Sequence, residues 1–300
     1  MEKIRKQNVM GWISYSFSLF LTCVWAFWGI IENFHEGWYH ESFIQNIGLL
    51  FLQYLSPMFL FLFLTLISVW KQRVGALLFL LVGIGLSFWF NKFNFFVLLP
   101  FFLLASLFWF GQISNKKQKY KVTVILPLFI LIIFSVEPVY RVSTRYNDGN
   151  FGMRVIKSNG VSLIWAPEGP GWPDDGVNWY EADSLCKYLT EDGLSIATTQ
   201  QNIWRLPTVE EAVRSMHRHG INCMGRLNAS GTPEYENEPD KETPLWNPHT
   251  MVIYWWTGTE IDSTHASIIT YNGKIRKREK KYGPGSLGFR AVKKFQKGNK

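Results

Sequence analysis

The chain has 300 residues, enough for two domains of ordinary size, with 47% hydrophobic and only 18% charged residues and a formal net charge of +8. Residues 1–139 hold 10 of the 31 Lys and Arg and 5 of the 23 Asp and Glu, and residues 140–300 hold the rest. An apolar, almost chargeless half joined to a half of ordinary composition excludes a fully soluble protein, a disordered chain and a collagen-like one, and the near balance of charge in the second half gives no field suited to nucleic acid.

Charge-free stretches mark five candidate membrane spans in chain order, 9–31, 43–70, 74–91, 94–113 and 122–140. A bilayer core takes roughly 20 apolar residues per helix. The first four stretches meet that length; the fifth does so only if Glu137, Pro138, Val139 and Tyr140 sit at headgroup level. With alternating helices, Lys3, Arg5, Lys6, Lys71, Arg73, Lys116, Lys117, Lys119 and Lys121 share one side. Glu32, His35, Glu36, His40, Glu41 and a lone Lys92 fall on the other. The excess of Lys and Arg in cytoplasmic loops then places the N-terminus in the cytoplasm and the second half outside, in a periplasmic or extracellular space. The first apolar run is about twice a signal-peptide core and lacks a small-residue cleavage site, and the chain after Cys23 stays apolar, so it reads as an anchor. No ionisable residue lies within the first four spans, which favours an anchor or a partner-binding bundle over a transport pathway.

The second half opens with a polar linker, 141–154. Val161 to Trp165 alternates like a strand, and the Pro- and Gly-rich stretch from Pro167 to Pro173 is a loop closed by Asp174-Asp175-Gly176. Asn178 as N-cap, Glu181 three residues on, and Ala182, Leu185, Cys186 and Leu189 on one face predict a helix. Thr208 and Glu211 form a capping box for a second, with Val209, Ala212, Val213 and Met216 inward. Residues 226–250 are rich in Pro and acid and read as a long surface excursion. Strands are expected near 251–257, 266–271 and 287–295, with a turn at Asn272-Gly273, and a polar tail at 296–300. The pattern is α+β.

Three blocks carry a family resemblance. Val177-Asn178-Trp179-Tyr180-Glu181-Ala182, followed by Cys186 and Leu189, resembles a helix of the formylglycine-generating enzymes, or sulfatase-modifying factors. Arg205-Leu206-Pro207-Thr208-Val209-Glu210-Glu211-Ala212 and the closing Gly288-Phe289-Arg290 resemble two further elements of that family. Trp204 to Thr208 and Tyr254 to Glu260, which includes Trp256, are also similar to a sister group of bacterial lectin-like domains. The resemblance covers residues 155–295. It implies a C-type-lectin-like fold, with both helices packed on a small antiparallel sheet containing Trp165, Trp256 and Phe289, and polar partners for Arg205 and Arg290. This chain departs from the enzymes where their oxidase chemistry sits. The matching segment, Ile268 to Tyr282, has no cysteine, so soft thiolate ligands for copper(I) are missing and thiol-based oxidase chemistry is not expected.

No Ser–His–Asp set, phosphate-binding glycine loop or zinc spacing occurs, so no catalytic residue is nominated. Cys186 is either a buried thiol or, in an oxidising exterior, the partner of Cys223 in a disulfide. His217 and His219 stand at i, i+2 and make a poor metal pair, and His265 stands alone. Asp174, Asp175, Glu236 and Asp240 offer oxygens for calcium, which lectin-like folds often bind in loops, against the alternative of plainly solvated acids. The basic run Lys274 to Lys281 is either a solvated hairpin face or a contact for anionic lipid or polysaccharide. Beside the lipid bilayer, the partner expected is a glycan, peptide or protein ligand outside the membrane, bound by a non-catalytic, membrane-anchored domain. The alternatives are an enzyme of the same superfamily with other chemistry and a structural subunit of a membrane complex.

Overall fold

The structure, a computed structural model, describes residues 2–90 and 94–295. Lys92, the side chains of Lys3 and Arg5, and the tail 296–300 lie outside the described residues. The chain divides into two compact units, Met1–Trp38 with Ser42–Tyr140, and Tyr39–Glu41 with Arg141–Lys300.

The first unit is helical: α1 (Glu2–His35), α2 (Phe43–Leu49), a π-helical turn (Leu50–Tyr54), α3 (Ser56–Trp70), α4 (Gln72–Trp89), α5 (Phe95–Phe110) and α6 (Lys116–Ser143). Three helices, α1, α4 and α6, are long and apolar enough to cross a membrane; a fourth is added if the segments on either side of Leu55, bent by 55°, count as one span. The run 43–70, expected as one span, is therefore broken by a bend. Pro57 fits the first turn of α3, where its missing N–H costs nothing, but not the interior of a helix continued from α2. The run 94–113 is helical over only 16 residues. Asn94 caps it, accepting from the Phe96 and Val97 N–H groups at 3.0 and 3.4 Å, and the backbone turns extended at Gly111. Conversely, the run with the least apolar length, 122–140, lies inside a 28-residue helix about 42 Å long.

One end of this unit gathers the start of α1, the ends of α3 and α5, and the starts of α4 and α6. There the Gln112 N–H donates to the Gln7 carbonyl at 2.8 Å, and the Ile113 N–H to Gln72 Oε1 at 3.2 Å. Lys116 Nζ donates to the Trp70 carbonyl at 2.9 Å and the Tyr15 hydroxyl to the Lys119 carbonyl at 3.1 Å. Any side chain at Gly11 would collide with the Gln112 backbone, so glycine permits this closure. At the far end, Ser87 and Asn94 hold the α4–α5 turn. Between the ends, Phe61 stacks on Phe101 and Phe79 on Phe108, with centroids 5.1 and 5.6 Å apart. Ser18 and Thr65 meet across α1 and α3 at 2.5 Å, a buried hydroxyl pair of the kind that joins membrane helices.

The second unit contains β1 (Arg154–Ser158), β2 (Val161–Trp165), α7 (Trp179–Tyr188), α8 (Val209–Ser215), and four two-residue strands, β3 (His217–Arg218), β4 (Ile221–Asn222), β5 (Arg226–Leu227) and β6 (Pro233–Glu234). Then come β7 (Tyr254–Glu260), β8 (His265–Thr270), β9 (Ile275–Glu279), β10 (Leu287–Gly288) and β11 (Val292–Lys294). Both helices start where their caps predict: Asn178 accepts from the Glu181 N–H, and Thr208 and Glu211 close a full capping box. The expected single antiparallel sheet is instead two. A three-stranded sheet of order β1-β2-β11 holds Trp165, and a four-stranded sheet of order β10-β7-β8-β9 holds Trp256, with β10 parallel to β7. Phe289 sits in the connection between β10 and β11. Strand 251–257 shifts to start at Tyr254, because the Ile253 and Tyr254 N–H groups both turn to the Ser286 carbonyl. Strand 287–295 splits, because the Ala291 N–H leaves the ladder for the Gly171 carbonyl at 2.8 Å. α8 stops before Met216, and His217 lies on a strand, not a helix.

A tryptophan cluster fills the core between the sheets. Trp246 stacks on Trp255 with centroids 3.7 Å apart, and Trp165 and Trp172 close on the same ring at 5.7 and 6.5 Å. Burying each such ring contributes roughly 2–3 kcal/mol. The acid-rich excursion 226–250 is not all surface. Asp240, 1% exposed, lies between Arg145 at 3.0 Å and Arg218 at 2.6 Å. The stretch read as a linker is bound to the same place, with the Thr243 N–H on the Tyr146 carbonyl and the Asp148 N–H on Thr243 Oγ1.

Candidate functional site

Most residues that carry the family resemblance have structural work. Ala182 and Cys186 are the buried face of α7, and Leu206 and Pro207 are buried ahead of α8. Arg205 pairs with Glu211 through two bonds of 2.7 and 2.6 Å, while Glu211 also accepts from the Thr208 N–H. Burial alone would raise the Glu211 carboxyl, but the hydrogen bonds from Arg205 and Thr208 and the Arg205 charge together outweigh it and hold the group below its ordinary range. Arg290, next to buried Gly288 and Phe289, donates to the carbonyls of Ala166, Pro244 and Leu245, each at 2.8 Å, and lies 3.6 Å from the Trp172 ring. Trp256 is buried, with its indole N–H on the Val177 carbonyl at 2.8 Å.

The disulfide is not formed. Cys186 and Cys223 are free thiols, each buried, and burial pushes the Cys223 thiol up to about 12 and that of Cys186 higher still. Thiolate chemistry is thus suppressed at both. The four calcium candidates do not come together as a site: Asp240 is held by arginines, and Asp174, Asp175 and Glu236 are exposed. Among the described residues, no three His, Cys, Asp or Glu side chains gather to hold a metal ion.

What remains open to a ligand is the face where α7 meets β9. The register aligns Arg278 with Ala266 and Glu260, and Arg276 with Ile268 and Trp256, so both arginines share one face of an edge strand. Alternate residues of a strand lie about 6.7 Å apart on one face. Just beyond the strand, Lys280 carries the same face on to α7. The Trp179 N–H donates to the Lys280 carbonyl at 2.9 Å, and the lysine Nζ bonds Glu260 and lies 4.7 Å from the Trp179 ring centre. The Trp179 indole N–H is fixed on the Thr257 carbonyl at 2.9 Å. Beside this buried cation stand two exposed tyrosines, Tyr180 at 47% and Tyr282 at 51%, the latter 5.7 Å from the Arg278 guanidinium. On the opposite face Lys277 is spent on Asp262, whose carboxyl the bonds from Lys277 and His265 hold well below its usual range. His265 is therefore not isolated. Among the described residues, Lys274, Arg276, Arg278 and Lys281 form no ion pair. The basic run was visible in the sequence. Tyr180, Tyr282 and Glu260 were not, because only the fold brings 180, 260 and 282 together.

Residues 1–121 match the family described as a domain of unknown function (DUF7670). The match covers the helical unit as far as the first turn of α6. No curated protein matches the chain.

Proposed function

We propose that the protein is a membrane-anchored binding protein whose second unit, a non-catalytic domain like those of the sulfatase-modifying-factor and lectin-like groups, captures a ligand outside the cytoplasm. The observation that carries this is the α7–β9 face, where exposed Tyr180 lies near Lys280, exposed Tyr282 lies near Arg278, and Arg276 and Arg278 form no ion pair among the described residues. The pairing of β11 with β2 supports the lectin-like fold, since the domain's end returns to its beginning with both helices looped out between them. The two buried thiols of this unit argue against a thiol enzyme.

Five alternating crossings are supported by the clustering of Gln7, Trp70, Gln72, Gln112 and Lys116 at one end of the helical unit. That end bears Lys71, Arg73, Lys116, Lys117, Lys119 and Lys121, the signature of a cytoplasmic face. α5, the shortest of the five crossings when α2 to α3 count as one, crosses with local thinning of the bilayer. Labelling by a membrane-impermeant maleimide is the test. Ser230→Cys should react in intact cells and Lys117→Cys only after permeabilisation; the reverse pattern would place the second unit in the cytoplasm and end the proposal.

A further inference from the structure

We infer that the ligand of the α7–β9 face is an anionic polysaccharide, whose carboxylates or sulfates are gripped by Arg276 and Arg278 and whose sugar rings lie on Tyr180 and Tyr282; this rests on the binding function proposed above. Guanidinium forks match planar or tetrahedral oxyanions bidentately, and two of them at strand spacing meet a repeating charge better than a single one. Lys274 and Lys281 extend the positive field at either end of the strand.

The surroundings select among anionic partners. A lipid surface calls for apolar side chains that enter it, yet from Glu260 to Tyr282 the exposed large apolar side chains are Ile261 and Tyr282, at opposite ends of the stretch. An acidic peptide adding to the edge of the sheet would have to pair with β9, whose run of exposed charge opposes strand addition. A sugar chain needs neither. It presents C–H faces to aromatic rings and spaced anionic groups to arginine, and Tyr180 is held for this by its place in the first turn of α7, beside the anchored Trp179. Lys280, buried against Trp179 and bonded to Glu260, fixes the floor and does not compete for the ligand.

Full-length protein in phosphatidylcholine nanodiscs is titrated with polygalacturonate, dextran of similar length, polyglutamate and vesicles containing phosphatidylglycerol. Polygalacturonate should bind, with affinity falling as salt rises. Arg276→Ala with Arg278→Ala should weaken it about tenfold, Tyr180→Ala a few-fold, and the charge-matched control Lys187→Ala with Arg226→Ala not at all. Near-ultraviolet circular dichroism checks that each variant keeps the tryptophan core. Dextran bound as tightly, with loss in Tyr180→Ala but not in the arginine variant, would overturn the anionic class while leaving the binding face in place. Preference for polyglutamate or for the vesicles would replace the polysaccharide by a peptide or a lipid. No binding to any probe would remove both this inference and the binding face.

Discussion

Arg290 shows how much a single residue can commit to a fold. Its side chain donates to the backbone carbonyls of Gly152, Ala166, Pro244 and Leu245, so one residue ties three separate stretches of chain. Lysine keeps the charge but not the planar fork, and Arg290→Lys should cost about 3 kcal/mol in denaturant unfolding of the second unit. A loss below about 1 kcal/mol would mean that packing on Trp172 does most of the stabilising. Lys241 is the opposite case. It is 3% exposed, its Nζ bonds the Thr250 carbonyl, and burial holds its amine well below its ordinary 10.5. Between that lowered value and 10.5 the unfolded chain binds the proton that the folded chain lacks, so stability rises with pH across the interval. Lys241→Met removes this slope and should stabilise the domain by about 1 kcal/mol at neutral pH, as thermal unfolding at pH 7 and pH 9 will reveal.

At the scale of elements, local signals were readable and remote pairings were not. The caps of α7 and α8 stand in the sequence because a cap and its target are three residues apart. That the first unit is apolar and helical was readable from the spacing of charges, whereas the length of each helix was not, and only three or four of the five expected spans have a helix long and apolar enough to cross a membrane: apolar composition says nothing of where Gly111 turns or Pro57 forces a break. Parallel pairing of β10 with β7 joins residues that no alternation pattern links. Acid-rich sequence reads as solvated surface, which hid Asp240, because its partner Arg145 lies 95 residues away. Within α8, the Glu211 carboxylate serves both Arg205 and the helix start. Glu211→Gln should cost about 1 kcal/mol near neutrality, after allowance for the partly exposed Arg205. Its folded value is depressed, so the wild-type advantage is complete above the ordinary 4.5 and is lost as pH falls through the lower folded value. A gap between the two proteins that stayed constant down to pH 2 would contradict the ion-pair account.

For the whole molecule, the boundary between the units is better drawn at Arg141 than at residue 155. A fragment of residues 141–300 should unfold in one cooperative transition. One that begins at Phe151 lacks Arg145 and Tyr146 and should be less stable by about 2 kcal/mol, because Asp240 keeps only part of its charge compensation. Equal stability would return 141–150 to the status of a linker. The same segment has a mechanical consequence. A domain bound to a polymer and tethered through α6 is pulled at its ends, and the load reaches the contacts of Arg141 and Arg145 with Asp240, then Tyr146 and Asp148, before it reaches β1. Contacts met one after another yield by peeling at low force. About nine residues can then pay out, adding about 30 Å to the tether while the tryptophan core stays folded, and rejoin when the load is released.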